Sequence, residues 1–144
     1  MTNTNKPSIV FWIVGVIALL WNLLGVNAYI QQVYRTEGFL EAYSAEELAL
    51  MDASPAWITA LFAIAVFAGA IGALLLLLRK RLAAPLLLIS FLAALVQMGH
   101  YFVATDGPQL FDTLQGTVMP IFVVVFAAFL VWYSKDAKKK GILS

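Results

Sequence analysis

The sequence predicts an all-α membrane protein, a bundle of four transmembrane helices with a short amphipathic helix in the loop after the first. Hydrophobic residues fill 62% of the 144 positions and charged residues 12%, and mean hydropathy is +0.90. A helix crosses a bilayer in roughly 20 residues. Four longer stretches lack Asp, Glu, Lys and Arg: Ser8–Tyr34, Ala53–Leu78, Leu82–Thr105 and Thr113–Ser134. We therefore expect one transmembrane domain over 1–144, with helices at about 8–34, 54–79, 82–105 and 111–134.

The distribution of basic residues predicts the orientation of this bundle. All but one of the nine Lys and Arg precede the first helix, separate the second from the third, or follow the fourth. The exception is Arg35. Lys and Arg accumulate on the cytoplasmic side of membrane proteins, so both termini are expected in the cytoplasm (N-in, C-in). Anionic lipid and this rule explain the basic tail, and no nucleic-acid partner is expected.

The first helix carries small and polar residues at steps of three and four, which places them on one face. Small residues let helices approach closely in lipid. Asn22 lies near the middle of the span, where an interhelical hydrogen bond is its commonest role. The face consists of Gly15, Ala18, Asn22, Gly25, Tyr29 and Gln32.

The loop after the first helix is the one sizeable connection, and it is acidic apart from Arg35. Ser44 and Glu47 have the spacing of a capping box, which predicts a short helix through about Met51. Apolar residues such as Phe39 and Tyr43 indicate that this loop lies on the membrane surface or covers the bundle.

The remaining helices have simple sequence signals. Ser54 is the expected N-cap of the second helix, with Pro55 at its first position, and Gly69 and Gly72 indicate close packing. A very short turn after it predicts an antiparallel hairpin with the third helix. Pro120 is expected to kink the fourth helix, after a turn at 106–108, and Gly116 of that helix is expected to face another helix.

The third helix carries the clearest candidate site. Gln97 and His100 lie on one face, in the half of the span away from the basic residues, and Asn22 and Tyr29 lie at similar depths on the first helix. Because polar groups in hydrocarbon need partners, we expect these four residues to line one polar pocket. It would lie between the first and third helices, open to the outside and sealed towards the cytoplasm. The alternative is that His100 is a packing residue.

Several chemistries are not expected from this composition. The chain has no cysteine and one histidine, which excludes disulfides, thiolate metal sites and redox pairs. The four uncharged stretches also hold no carboxylate for acid–base chemistry. We therefore expect no catalytic residues, no metal site, no cofactor and no enzymatic activity.

Five segments resemble a family of small bacterial four-helix inner-membrane proteins whose members are often labelled sugar transporters. The resemblance spans nearly the whole chain. It implies the same four-helix topology and a location in the bacterial inner membrane. The segments are WNLLGVNAY (21–29), SPAWITALFAIAVFAGAIGALLLLLRK (54–80), LVQM (95–98), VMP (118–120) and FLVWYSK (129–135).

Two functional hypotheses follow. The first is a membrane protein whose outer crevice binds or transports a solute, as the sugar-transporter label implies. The alternative is an accessory or scaffold subunit of a larger membrane complex, with no transport activity of its own. The expected partners are the lipid bilayer and a small polar solute or lipid, with a second copy or a larger complex as further partners. An exposed row of small residues on one helix would favour the accessory role.

Overall fold

The computed structural model describes residues 6–144, in which all regular structure is helical. Four helices are long and apolar enough to cross a membrane: α1, α4, α5 and the continuous helix Leu114–Lys139, which contains α7. The prediction of an all-helical chain with four such helices is therefore confirmed. The elements are α1 (Ile9–Tyr34), α2 (Glu37–Ala42), α3 (Ala45–Asp52), α4 (Ala56–Leu77), α5 (Ala83–Ala104), α6 (Gly107–Leu110), a π-helical turn (Leu114–Val118) and α7 (Met119–Lys139).

The start of α4 differs from its prediction. Pro55, rather than Ser54, occupies the N-cap position, with φ −62° and ψ 153°, and no side chain caps the helix. The carbonyl of Pro55 accepts hydrogen bonds from the amides of Ile58 at 3.0 Å and Thr59 at 3.4 Å. Proline has no N–H to lose at this position, and its fixed φ suits the entry into a helix.

The last long helix differs from its prediction at both ends. It continues past Ser134 to Lys139, and an ion pair of 2.9 Å joins Asp136 to Lys140 across the final turn. Basic side chains near a helix C-terminus are favourable, because the carbonyls there carry partial negative charge. At the other end, the expected turn is the short helix α6, and the π-helical turn precedes α7.

The loop between α1 and α4 folds into the two short helices α2 and α3. Ser44 and Glu47 form a reciprocal capping box, with hydrogen bonds of 3.1 Å and 2.8 Å, so the expected helix is present. An ion pair between Arg35 and Asp52 joins the two ends of the loop. Phe39 is buried, which shows that α2 packs against its surroundings. The amphipathic placement of α3 on a membrane surface stays a prediction.

The long helices follow the order α1, α4, α5, α7 around the bundle. α4 packs along both α1 and α5, and α5 packs along α7. The backbones of α1 and α7 do not approach as closely. The ring of Trp21 on α1 packs against the rings of Phe122 and Phe126 on α7, with distances between ring centroids of 5.1 Å and 6.0 Å. Because α4 lies between α1 and α5, the first and third predicted helices are not neighbours.

Small residues allow the close approach of α4 and α5. A Cβ atom at Gly72 would lie 2.9 Å from the Leu87 side chain of α5, nearer than real Cβ contacts allow. One buried layer draws a residue from each long helix: Ala18, Ala73, Leu87 and Leu130. Below it, the basic end of the bundle has its own buried cluster.

The basic end is closed by the segment after α7, which the sequence analysis did not anticipate. Gly141 adopts a left-handed conformation with φ 74°, which glycine commonly does just after the end of a helix. The backbones of Arg79 and Ser144 then pair, with Ser144 N–H donating to the Arg79 carbonyl at 2.9 Å. Leu143 is only 3% exposed and packs with Phe11 and Ala137. The bundle is therefore sealed where its basic loops lie.

Candidate functional site

Two adjoining cavities occupy the bundle. We call the first, of about 460 Å³, the loop-end chamber, because it lies under the α1–α4 loop and beside α6. The second, of about 390 Å³, is the central chamber, and all four long helices line it. The two chambers share the side chains of Phe62, Gln97, Met98 and Met119 in their linings.

The loop-end chamber has a polar but uncharged lining. Amides, hydroxyls and one imidazole face it, together with aromatic and methionine side chains, and Asp, Glu, Lys and Arg are absent from its lining. Tyr43, Leu50 and Met51 bring the α1–α4 loop into the lining, so this loop covers the chamber. The polar side chains include Gln32, Ser54, Thr59, Gln97, His100 and Gln115.

The central chamber is mostly apolar. Leu87 and Leu130, each 2% exposed, belong to the buried four-helix layer and close it towards the basic end. Its polar lining residues are Asn22, Ser90 and Gln97, and Trp21 adds an indole ring with one N–H group. The chamber therefore offers contact area to an apolar group and few hydrogen bonds.

Gln97 lies at the junction of the two chambers. It projects from the middle of α5 into both linings and is half-buried. Among residues 6–144 its side-chain amide has no hydrogen-bond partner, and its nitrogen and oxygen are not fully buried. An amide offers two donors and an acceptor, and an unpaired one at this depth is costly. Gln97 is therefore available to form hydrogen bonds with a molecule in either chamber.

Asn22 lines the central chamber rather than the loop-end chamber. Its amide nitrogen donates to the carbonyl of Ala18, in its own helix, at 2.8 Å. Its carbonyl oxygen and the Ser90 hydroxyl of α5 both lie beside Gly69 of α4, within 3 Å of the position that a Cβ atom would take there. The expected hydrogen bond from Asn22 to another helix is not formed. The side-chain amide donates instead to the carbonyl one turn earlier in its own helix.

Tyr29 lies in neither chamber lining. Its ring packs edge-on against Phe62 at 5.5 Å and Phe67 at 5.8 Å, both on α4. This packing follows from the helix order, since the polar face of α1 points at α4 and not at α5. The structure thus brings Gln97 and His100 into one chamber and Asn22 and Gln97 into the other, without Tyr29.

His100 lines the loop-end chamber, one turn beyond Gln97 along α5. Its imidazole meets the ring of Trp57 edge-on at 5.3 Å, with an interplanar angle of 79°. Trp57 stands at the start of α4, so this contact joins α4 and α5 at the mouth of the chamber. His100 is consequently both a packing residue and a lining residue.

Tyr101 is a site residue that the sequence analysis missed. Its hydroxyl donates to the carbonyl of Gly116 at 3.0 Å, and its ring lines the loop-end chamber. Pro120 has no N–H to donate to the carbonyl four residues earlier, which belongs to Gly116. The position of Pro120 was the available signal, because a proline in a membrane helix leaves a carbonyl that a neighbouring side chain must satisfy.

No protein-family model, curated protein or solved structure matches this chain.

Proposed function

We propose that this protein binds a small uncharged polar solute in the loop-end chamber. The observation that carries the proposal is the position of Gln97, whose side-chain amide has no hydrogen-bond partner among residues 6–144 and lines a chamber with no charged lining residue. Ligand sites are typically concave, largely apolar and furnished with a few convergent polar groups. A charged solute would find no counter-ion here, whereas hydroxyl or amide groups would find hydrogen bonds.

The closed basic end supports binding from one side of the bundle. Leu143 and the buried layer of Leu87 and Leu130 stand between the chambers and the basic loops. Transport would require these contacts to open, so binding at the loop end is the first step in either case. With the proposed N-in, C-in orientation, the loop end faces away from the cytoplasm. The proposed location is the bacterial inner membrane.

The test is binding of uncharged polyols, sugars and amides to the purified protein, followed by calorimetry or by tryptophan fluorescence. Trp57 touches His100 and so supplies an optical signal. We expect Gln97→Leu and Gln32→Leu to weaken binding about tenfold each, the effect of losing roughly 1.4 kcal/mol. Charged analogues of the same size should not bind.

The matched control is Gln31→Leu. Gln31 neighbours Gln32 on α1, yet it lies outside both chamber linings. The Gln31→Leu variant should bind these solutes as the unaltered protein does, and its folding serves as the reference for the other variants. Equal effects of the substitutions at 31 and 32, or saturable binding of charged solutes alone, would refute the proposal.

One observation favours the alternative role as a subunit of an oligomer or larger complex. Asn27 is exposed on α1, about 10 Å from the end of the helix at Tyr34, and has no hydrogen-bond partner among residues 6–144. Asparagine side chains on membrane helices stabilise helix association. Under this alternative, Asn27→Leu shifts the assembly towards monomer in native mass spectrometry, whereas Leu23→Ala does not.

A further inference from the structure

The central chamber is an apolar space inside the membrane-spanning part of the bundle. Its lining is dominated by aliphatic and aromatic side chains, and it joins the loop-end chamber at Gln97. An empty cavity deprives its lining of packing contacts and destabilises a fold. A much smaller apolar cavity, of about 150 Å³, stays dry and takes up benzene. A volume of about 390 Å³ therefore suits an apolar group larger than benzene.

Three of the four interfaces between neighbouring long helices are closed by direct packing. α1 meets α4 at Gly25, where a Cβ atom would lie 2.9 Å from Val66. α4 meets α5 at Ser90, whose hydroxyl donates to the Ala65 carbonyl at 2.6 Å. α5 packs along α7, and the hydrogen bond from Tyr101 to Gly116 joins α5 to the π-helical turn before α7.

The fourth interface, between α1 and α7, is different in kind. Its helices are joined beside the chamber by rings, with Trp21 edge-on to Phe122 and Phe126. Trp21 and Phe126 also line the central chamber. These rings therefore stand between the cavity and the acyl chains around the protein. Rotation of one ring would open a path into the cavity, whereas an interface closed by backbone packing would have to separate.

Trp21 is also unusual for its depth. Tryptophan is enriched at membrane interfaces, and Trp12, Trp57 and Trp132 lie nearer the ends of their helices. Trp21 lies at the middle of α1, and among residues 6–144 its indole N–H has no hydrogen-bond partner. Neither an interfacial anchor nor a hydrogen bond explains this tryptophan, whereas a gate beside the cavity does.

We propose that the central chamber holds the alkyl chain of a single-chain lipid whose uncharged, hydroxyl-bearing headgroup lies at Gln97. The lipid enters from the bilayer between α1 and α7, past Trp21. The change from apolar to polar lining at Gln97 is the boundary between chain and headgroup. The headgroup half of this proposal rests on the proposed function; the chain half rests on the central chamber alone.

The test measures binding of radiolabelled 1-monoacylglycerols with butyryl, octanoyl and dodecanoyl chains to the protein in nanodiscs, with empty nanodiscs subtracted. For the unaltered protein, affinity should rise with chain length. Ala127→Phe fills the chamber from α7 and should abolish this rise, lowering affinity for the dodecanoyl compound by roughly tenfold or more. The butyryl compound should bind as before.

The matched control is Ala128→Phe, because Ala128 is exposed and lies outside the lining. Partition of the probe into the bilayer is the same for both variants and cancels. Ala28→Phe fills the chamber from α1 and repeats the test if Ala127→Phe is poorly folded by size-exclusion chromatography. A chain-length dependence that survives a folded filling variant overturns the chain site.

The two proposals fail in different ways. If Gln97→Leu leaves butyryl binding unchanged, the polar site is refuted, and the chain-length dependence still reports on the central chamber. The gate has its own measurement, since Trp21→Ala should speed release of the dodecanoyl compound several-fold, whereas Leu23→Ala on the exposed side of α1 should not. Equal release rates for the two variants overturn the gate.

Discussion

Gly69 lies where three long helices come together. A Cβ atom there would overlap the Asn22 side-chain oxygen of α1 and lie 2.9 Å from the Ser90 hydroxyl of α5. Both neighbours are held, since Asn22 donates to its own helix and Ser90 donates to Ala65. Moving either side chain aside would break its hydrogen bond, so this position favours glycine, which has no Cβ atom.

Gly69→Ala should therefore lower stability by about 1–3 kcal/mol, the usual effect of overpacking. Gly99→Ala is the control, because nothing lies within 4 Å of a Cβ atom at that position. It should leave stability unchanged or raise it slightly, since alanine favours helix. Thermal unfolding in detergent, followed by circular dichroism, measures both. Equal melting temperatures for the two variants would contradict this account of Gly69.

For single residues, the sequence indicated how deep each side chain lies along its helix better than it indicated which neighbouring helix the side chain meets. Gly25, Gly69, Gly72 and Gly116 were expected to lie against other helices. The first three lie there, whereas a Cβ atom at Gly116 would meet Phe111, the residue that follows α6. Asn22 and Tyr29 were expected to meet Gln97 because they share its depth. Helical spacing places residues on one face but does not say which helix that face meets. The position of α4 between α1 and α5 is a tertiary fact, and it turns Tyr29 towards Phe62.

At the scale of the element, the helix containing Pro120 combines a proline, a π-helical turn and a hydrogen bond from a tyrosine of another helix. The sequence predicted a kink at Pro120. The structure has a π-helical turn over Leu114–Val118 just before it, and the Tyr101 hydroxyl on the Gly116 carbonyl. A single-residue rule for proline cannot predict the partner, since Tyr101 belongs to another helix.

A double-mutant cycle tests this arrangement. Tyr101→Phe should cost about 0.5–1.5 kcal/mol, the net contribution of one hydrogen bond. In a Pro120→Ala background, the new N–H can donate to Gly116, so the same change should cost less. The coupling between the two positions, measured by thermal or denaturant unfolding in detergent, should therefore differ from zero. Strictly additive effects would show that the tyrosine does not compensate for the proline.

The segment after α7 is the element that sequence periodicity missed. Its four residues after Lys140 are too few for a periodic pattern, and only the turn at Gly141 gives a local signal. Leu143 is nevertheless buried against Leu76 and Ala83. Leu143→Ala should cost about 2–5 kcal/mol through the cavity it leaves, whereas Leu82→Ala, at a side chain 60% exposed, should cost little. A negligible loss at 143 would show that the closed end is not stabilised by this segment.

At the scale of the whole molecule, the four long helices were predictable from uncharged stretches alone. Their ends were less so, because Lys135–Lys139 continue a helix that the hydrophobic pattern ends at Ser134. A polar pocket with Gln97 and His100 was expected from the sequence, but the apolar central chamber was not, since a cavity is defined by the packing of four helices and not by any one of them. The uncharged lining follows from the sequence in hindsight, as the spans hold no charge to contribute.

The orientation of the molecule in its membrane is a prediction with a direct test. Because the chain has no cysteine, single cysteines at Ser44 and Lys138 can be labelled in intact cells with an impermeant thiol reagent. Both positions are exposed, so access depends on the side of the membrane. Position 44 should react, and position 138 should react only after the cells are opened. The reverse pattern would place the basic end outside.

The closure of the basic end has a consequence for how the protein is made. Arg79 lies in a hairpin that is synthesised early, whereas its backbone partner Ser144 is added more than sixty residues later. At about 5–20 residues per second, the ribosome takes several seconds to supply it. During that interval the hairpin of α4 and α5 is made without the segment that later covers Phe11, Leu76 and Ala83, so the basic end of the bundle stays open. Closure of this end is thus a late step of folding, which follows the synthesis of α7 and of the segment after it.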